Sequence, residues 1–180
     1  MKHLISKLTM VAVTVGASLS FAGWSKTGES IAQFQGSGPA GFKIEGKTKD
    51  VDVKDDGKNI TVIVKLTTLE TGIGLRDDHM RNKYIDVAKY PDATLTLPTA
   101  SVKLEDGKTN EGEASGTFGV HGKTKNIPFK YKASCKVGVC DIEGNADINL
   151  KDYDINVPSY LGVTVKPDIK VKATFQMKNG

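Results

Sequence analysis

Apolar and polar residues alternate along most of the chain. Asn59 to Leu66 shows this most clearly: Ile60, Val62, Val64 and Leu66 fall on one face, Thr61 and Lys65 on the other. A period of two marks a half-buried strand. Ile127 to Cys135 and Cys140 to Ile148 alternate in the same way. The chain ends with Ile169, Val171, Ala173, Phe175 and Met177 facing one side and Lys170, Lys172, Thr174, Gln176 and Lys178 the other. Ser30–Gln35, Asp50–Lys54, Thr94–Leu97 and Ala100–Glu105 read as shorter strands, with Pro98 marking an edge or bulge because it has no amide to donate. Asp55-Asp56-Gly57-Lys58 and Glu105-Asp106-Gly107-Lys108 read as turns, and Lys151–Pro158 as a short helical turn. About eight or nine strands with little helix predict an all-β antiparallel sandwich or barrel. Each strand has one apolar face, so those faces must share an interior, and closing the sheet removes free edges.

One stretch breaks the alternation. Arg76 to Pro91 has no period of two and crowds Arg, Lys and Asp together with His79, Met80, Tyr84 and Tyr90. A charged, irregular insert between strands reads either as a lid at the mouth of a scaffold or as a salt-bridged structural connection.

Gly41 to Thr48 matches G-x-x-x-x-G-K-T, the phosphate-loop pattern. That motif needs a strand before it and a helix after it. Here the interior, Phe42-Lys43-Ile44-Glu45, alternates as a strand, and another strand follows. A second copy stands at Phe118-Gly119-Val120-His121-Gly122-Lys123-Thr124-Lys125. The pair is expected to be two similar hairpins with a tight Gly turn, not a nucleotide site.

Composition narrows the reading. The 180 residues suit one domain. Lys2 and Lys7, the apolar run Leu8–Ala17 and Ser20-Phe21-Ala22 fit a cleavable secretory signal over 1–22, leaving a domain over 23–180. Its removal lowers the formal charge from +4 to +2 by taking two Lys and no acid. The remaining Lys lie at alternate strand positions among acids, without aromatic stacking platforms, which excludes a nucleic-acid stripe. The two cysteines, Cys135 and Cys140, favour a disulfide in an exported protein. Four residues separate them, which suits a hairpin that sets Ala133 against Ile142, Tyr131 against Gly144 and Phe129 against Ala146.

Thr67-Thr68-Leu69-Glu70-Thr71-Gly72, then Arg76-Asp77-Asp78-His79-Met80-Arg81-Asn82, then Asp86-Val87-Ala88-Lys89-Tyr90-Pro91 resemble the first signature of the YceI-like family. Thr117 to Lys125 resembles its second, and Ile148-Asn149 with Asp152-Tyr153 its third. Tyr84-Ile85 replaces the family's aromatic pair, the third signature's Arg is missing near Leu150, and Asp154 stands where that signature has Gly. The resemblance implies an extended lipocalin-like antiparallel β-barrel of about eight strands with a short helical or irregular lid. It also implies export to the periplasm and an apolar pocket for a long isoprenoid chain, a polyprenyl phosphate or a quinone; some members are thought to carry fatty acids or their amides.

On that resemblance, the residues expected to line the pocket are Phe34, Phe42, Ile44, Val62, Val64, Leu66, Leu97, Phe118, Val120, Phe129, Tyr131, Ile148 and Phe175. Met80 and Tyr84 are expected to close over it. Arg76 either pairs with Asp77 to hold the lid, the favoured role, or meets a head-group oxygen. A metal site from His79, His121 and Asp77 or Asp78 lacks ligand spacing. No nucleophile elbow or zinc-protease helix is present, so no cofactor and no catalysis are expected. The expected partner is the lipid, with transient membrane-surface contact and a homodimer compatible with it. The competing reading is a stress-related interaction barrel with a packed core.

Overall fold

The computed structural model describes residues 23–160 and 163–180, and the expected signal segment 1–22 lies outside the described residues. Nine strands form one antiparallel sheet. They are β1 (Trp24–Ser37), β2 (Lys43–Thr48), β3 (Val51–Asp55), β4 (Asn59–Lys65), β5 (Asp92–Pro98), β6 (Thr109–Val120), β7 (Lys123–Lys136), β8 (Val139–Asn149) and β11 (Asp168–Asn179). Their order is β2-β1-β11-β8-β7-β6-β5-β4-β3. Ser159–Tyr160 (β9) and Val163–Thr164 (β10) make a separate small hairpin. Between β4 and β5 runs a helical segment: α1 (Gly74–Asp78) continues as a π-helix over His79–Ile85 and ends at Asp86, whose φ is +53°. One barrel-like sheet is one of the two architectures that the alternation predicts, and the short helical insert is the lid that the resemblance implies.

The sheet curls until β3 comes against the first half of β1 at a seam. β2 and β3 follow one another in the chain and form no ladder together. Across the seam Ser30 Oγ donates to the Lys49 carbonyl at 2.7 Å, and the Trp24 amide donates to Asp55 at 2.9 Å. The barrel is therefore nearly closed rather than fully closed. The outer edge of β2 is covered, because Lys47 and Glu70 exchange backbone bonds of 2.8 and 2.9 Å.

Several expected boundaries move. β1 starts at Trp24, six residues before Ser30, with a register shift between Thr27 and Ser30. Ala100 to Glu105 is not a strand. Thr99–Ser101 forms a 3-10 turn after Pro98, which ends β5. The two Gly-Lys-Thr-Lys copies are not equivalent. Gly122, at φ +73°, makes the β6–β7 turn with His121, whereas β2 runs straight through Gly46. Gly46 is small for another reason: a Cβ there would lie 2.2 Å from the Phe34 ring. Phe34 fills that space instead.

Cys135 and Cys140 form the disulfide and are register partners, as are Ala133 with Ile142 and Tyr131 with Gly144. The turn is two residues, Val137 and Gly138, both with positive φ, which matches the twist of a tight hairpin. The expected Phe129–Ala146 pair does not form, because the ladder stops at Lys130–Asn145. Pro128 is the cause. The Cys135 amide donates to Lys108 on the β6 side, so odd-numbered amides of β7 face β6 and even-numbered ones face β8. Position 128 is the next that would donate to β8, and proline has no proton to give.

Candidate functional site

The inward faces of β1, β2, β4, β5, β6, β7, β8 and β11 do not meet in the middle. They enclose a cavity of about 920 Å³, near the upper end of small-molecule sites (about 300–1,000 Å³). Two apolar clusters bound it. One surrounds Ala133, Cys140 and Met177 at the disulfide end; the other surrounds Leu69, Val120, Tyr153 and Ile155 under the helical segment. Gly144 shows the emptiness most directly. It lines the cavity, and a Cβ built on it meets no atom within 4 Å. Its register partner Tyr131 leans the other way, over Gly112, and its hydroxyl accepts a bond from the Lys103 amide at 3.1 Å.

All sixteen residues singled out from the sequence border this space. Phe34, Ile44, Val62, Val64, Leu97, Phe118, Val120, Phe129, Tyr131, Ile148 and Phe175 reach it from strands. Leu66 reaches it from the 3-10 turn after β4, and Arg76, Met80 and Tyr84 from the helical segment. Phe42 sits at the rim, 45% exposed, rather than within. Alternation also places Ile142, Ala146, Ile169 and Val171 on inward faces, and they line the cavity beside these. Ile73 and Ile155 line the cavity from irregular segments and Leu75 from α1, where no alternation points to them, while Val102 and Leu104 reach it from the alternating stretch Ala100–Glu105 that forms no strand.

The helical segment offers one face to the cavity: Arg76, His79, Met80, Lys83 and Tyr84, spaced as one helical face. Its acids turn elsewhere. Asp77, 7% exposed, accepts the Thr71 amide at 2.6 Å and the Thr71 hydroxyl. Arg76 Nε donates to the same hydroxyl at 2.7 Å, and Nη2 to the Thr71 carbonyl at 2.9 Å. Arg76 and Asp77 thus hold the lid through Thr71, not as a direct pair. Arg81 adds a bond to the Leu69 carbonyl at 3.1 Å. Burial pushes the Asp77 carboxyl up, but the two Thr71 donors with Arg81 and Arg76 hold it below its ordinary value. Asp78 accepts from Asn82 at 2.6 Å. The charged side chains bordering the cavity are Arg76, Lys83 and Lys172, with no carboxylate among the described lining residues.

The two histidines among the described residues stay apart in role. His79 borders the cavity, while His121 Nδ1 lies 2.9 Å from the Tyr153 carbonyl and its ring meets Tyr90 edge-on. Among the described residues no three His, Cys, Asp or Glu side chains gather as a metal site. Asp154, where the third signature has Gly, adopts φ +54° at the end of the Leu150–Tyr153 turn, a conformation that Gly and Asp both tolerate. Tyr153 in that turn is fully buried, and burial pushes its hydroxyl up.

Fold and cavity together define an antiparallel barrel with an apolar interior that opens at one end beneath a short helical lid. The chain belongs to the YceI-like family, whose domain matches residues 12–177. A polyisoprenoid-binding domain from Saccharophagus degradans, implicated in plant cell wall breakdown, superposes with a TM-score of 0.73 at 17% identity, covering 88% of this chain and 99% of that one. Burkholderia cenocepacia BcnA gives 0.64 at 15% identity, covering 82% and 95%. A Campylobacter jejuni YceI protein gives 0.54 at 15% identity, covering 99% and 94%. A search of curated protein sequences returns no significant match.

Proposed function

We propose that this protein is a periplasmic carrier that holds a long-chain polyisoprenoid, of the polyprenyl phosphate or quinone type, in the barrel interior. The observation that carries the reading is the continuous apolar cavity, with Gly144 facing empty space within it. A hydrocarbon chain gains about 0.8 kcal/mol for each methylene it buries, before the costs of binding. The tail can therefore supply most of the affinity with few polar contacts. The sixteen residues that border the cavity are the proposed contacts, with Arg76, Met80 and Tyr84 at the lid. Family membership and the polyisoprenoid-binding relative support the ligand class. Export by a cleaved signal, loading at a membrane surface and absence of a catalytic step belong to the same reading. A homodimer adds no residue that the cavity needs.

The test is titration with a fluorescent polyprenyl ligand, comparing the natural chain with Gly144→Phe. The new ring enters open space on a strand that stays paired, so the protein is expected to keep its thermal midpoint and lose at least tenfold in affinity. Unchanged affinity in Gly144→Phe would remove the cavity as the binding site.

A further inference from the structure

We propose that the mouth of the barrel is a docking collar for an anionic lipid bilayer, formed by Phe42, Ile73 and Leu75 with Lys43 and Lys83 beside them. The inference rests on the carrier reading and names the surface from which the carrier is loaded. Among the described residues the exposed large apolar side chains are Phe42 (45%), Ile73 (55%), Leu75 (62%) and Val137 (82%). A single exposed apolar residue needs no explanation, but a cluster around an opening does. Phe42, Ile73 and Leu75 come from two separate segments, and all three border the cavity. Val137 stands alone in the hairpin turn at the disulfide end.

The exposure is held in place by the backbone. The Gly38 amide donates to the Phe42 carbonyl at 2.7 Å, and the Phe42 amide to Pro39 at 3.0 Å, closing a tight loop that presents the ring. The Ile73 carbonyl accepts the Asp77 amide at 2.9 Å, and Asp77 is fixed to Thr71. These bonds fix the backbone of both segments at the rim.

Charge points to the occupant. Lys43 and Lys83 are exposed and make no ion pair among the described residues. Lys83 lies over the Tyr84 ring. Of the acids within three residues of the collar, Asp77 is turned to Thr71, Asp78 to Asn82 and Glu45 to Gln35, while Glu70 and Asp86 make no side-chain bond among the described residues. Apolar side chains ringed by free ammonium groups suit an interface where the former enter the acyl boundary and the latter meet phosphates. The collar is also continuous with the cavity, so a lipid tail can pass from bilayer to barrel without entering water. Each methylene spared that exposure is worth roughly fourfold in equilibrium.

The experiment is flotation of the full chain with phosphatidylcholine vesicles, with and without an equal part of phosphatidylglycerol. The natural chain is expected to float with the anionic vesicles and to detach as salt rises. Phe42→Ser/Ile73→Ser/Leu75→Ser is expected to bind at least tenfold more weakly. Lys43→Gln/Lys83→Gln should lose on the order of fivefold for each charge. Val137→Ser should bind as the natural chain does. These substitutions are on the surface, and Trp24 fluorescence checks that the variants melt alike. Equal flotation with both vesicle types, or as large a loss in Val137→Ser as in the triple variant, would overturn the proposal. Vesicle binding without uptake of a polyprenyl ligand would sustain the collar and remove the carrier; uptake without vesicle binding would do the reverse.

Discussion

At the disulfide end of the barrel, strands hold strands. Ala133 and Cys140 are fully buried, Met177 nearly so, and a two-residue turn joins β7 to β8. At the mouth, a segment with no strand pairing of its own lies across the opening. It is tied down by hydrogen bonds among Thr71, Arg76, Asp77, Arg81 and Leu69, and it leaves Ile73 and Leu75 in solvent. Packing at the first end is shared by many apolar contacts, so no one residue decides it. Anchoring at the second end converges on Thr71. The sheet therefore provides a rigid wall, and the polar knot provides a lid whose loosening need not unfold the barrel.

The largest effect should come from cutting that knot. Asp77→Ala leaves the Thr71 amide and hydroxyl without their acceptor and removes the carboxylate that balances the nearby Arg76 and Arg81 charges, at a cost of about 3 kcal/mol. We expect the loss to appear as faster protease cleavage within Gly74–Ile85 and weaker ligand retention, with β7–β8 amides still protected from hydrogen exchange. Uniform loss of protection over the whole sheet would break the distinction between the two ends. Next comes the bridge. Cys135→Ser/Cys140→Ser removes a short closed loop worth about 2 kcal/mol. The thermal midpoint followed by Trp24 fluorescence should fall while ligand affinity stays within about twofold. Gly122→Ala should cost about 1–2 kcal/mol, because φ is +73° and the added Cβ would lie 2.6 Å from the Tyr90 ring; the same melt measures it.

Strong acid should loosen the mouth. The Asp77 carboxyl is held below its ordinary value in the fold. Its stabilising contribution is therefore complete at neutral pH and lost only as pH falls through that lowered value. Ligand release followed from neutral to strongly acid pH should rise in that window, and Asp77→Asn should flatten the profile. The smallest effect is expected at the exposed Lys125–Asp152 pair, 2.6 Å apart. Lys125→Gln should change stability by under about 1 kcal/mol, within the error of a denaturant titration.

The wall was legible because a period of two carries face as well as element. Ile60, Val62 and Val64, or Phe129 and Tyr131, could be placed inside before any coordinate was known. The cysteine pair then set one register correctly as far as Tyr131–Gly144. What stayed hidden depends on contacts distant in sequence. Nothing local tells that Gly46 makes room for Phe34 while Gly122 makes a turn, although both stand in Gly-Lys-Thr-Lys. Pro128 stops the β7–β8 ladder only because even-numbered amides face β8, a fact fixed by the hairpin. Ile73 and Ile155 reach the cavity from irregular chain, where alternation has no meaning, and Val102 and Leu104 do so from an alternating stretch that forms no strand. The role of Arg76 was open for the same reason: its partner, Thr71, is five residues away and shared with Asp77.

The claim beneath all of this is that an oily chain occupies the barrel. Native mass spectrometry of the full-length protein, expressed with export and purified without detergent, tests it most directly. An occupied barrel gives a population heavier than the polypeptide by one polyisoprenoid, released by organic extraction and restored by adding a polyprenyl ligand. A single bare mass that takes up no prenyl chain on titration would contradict it.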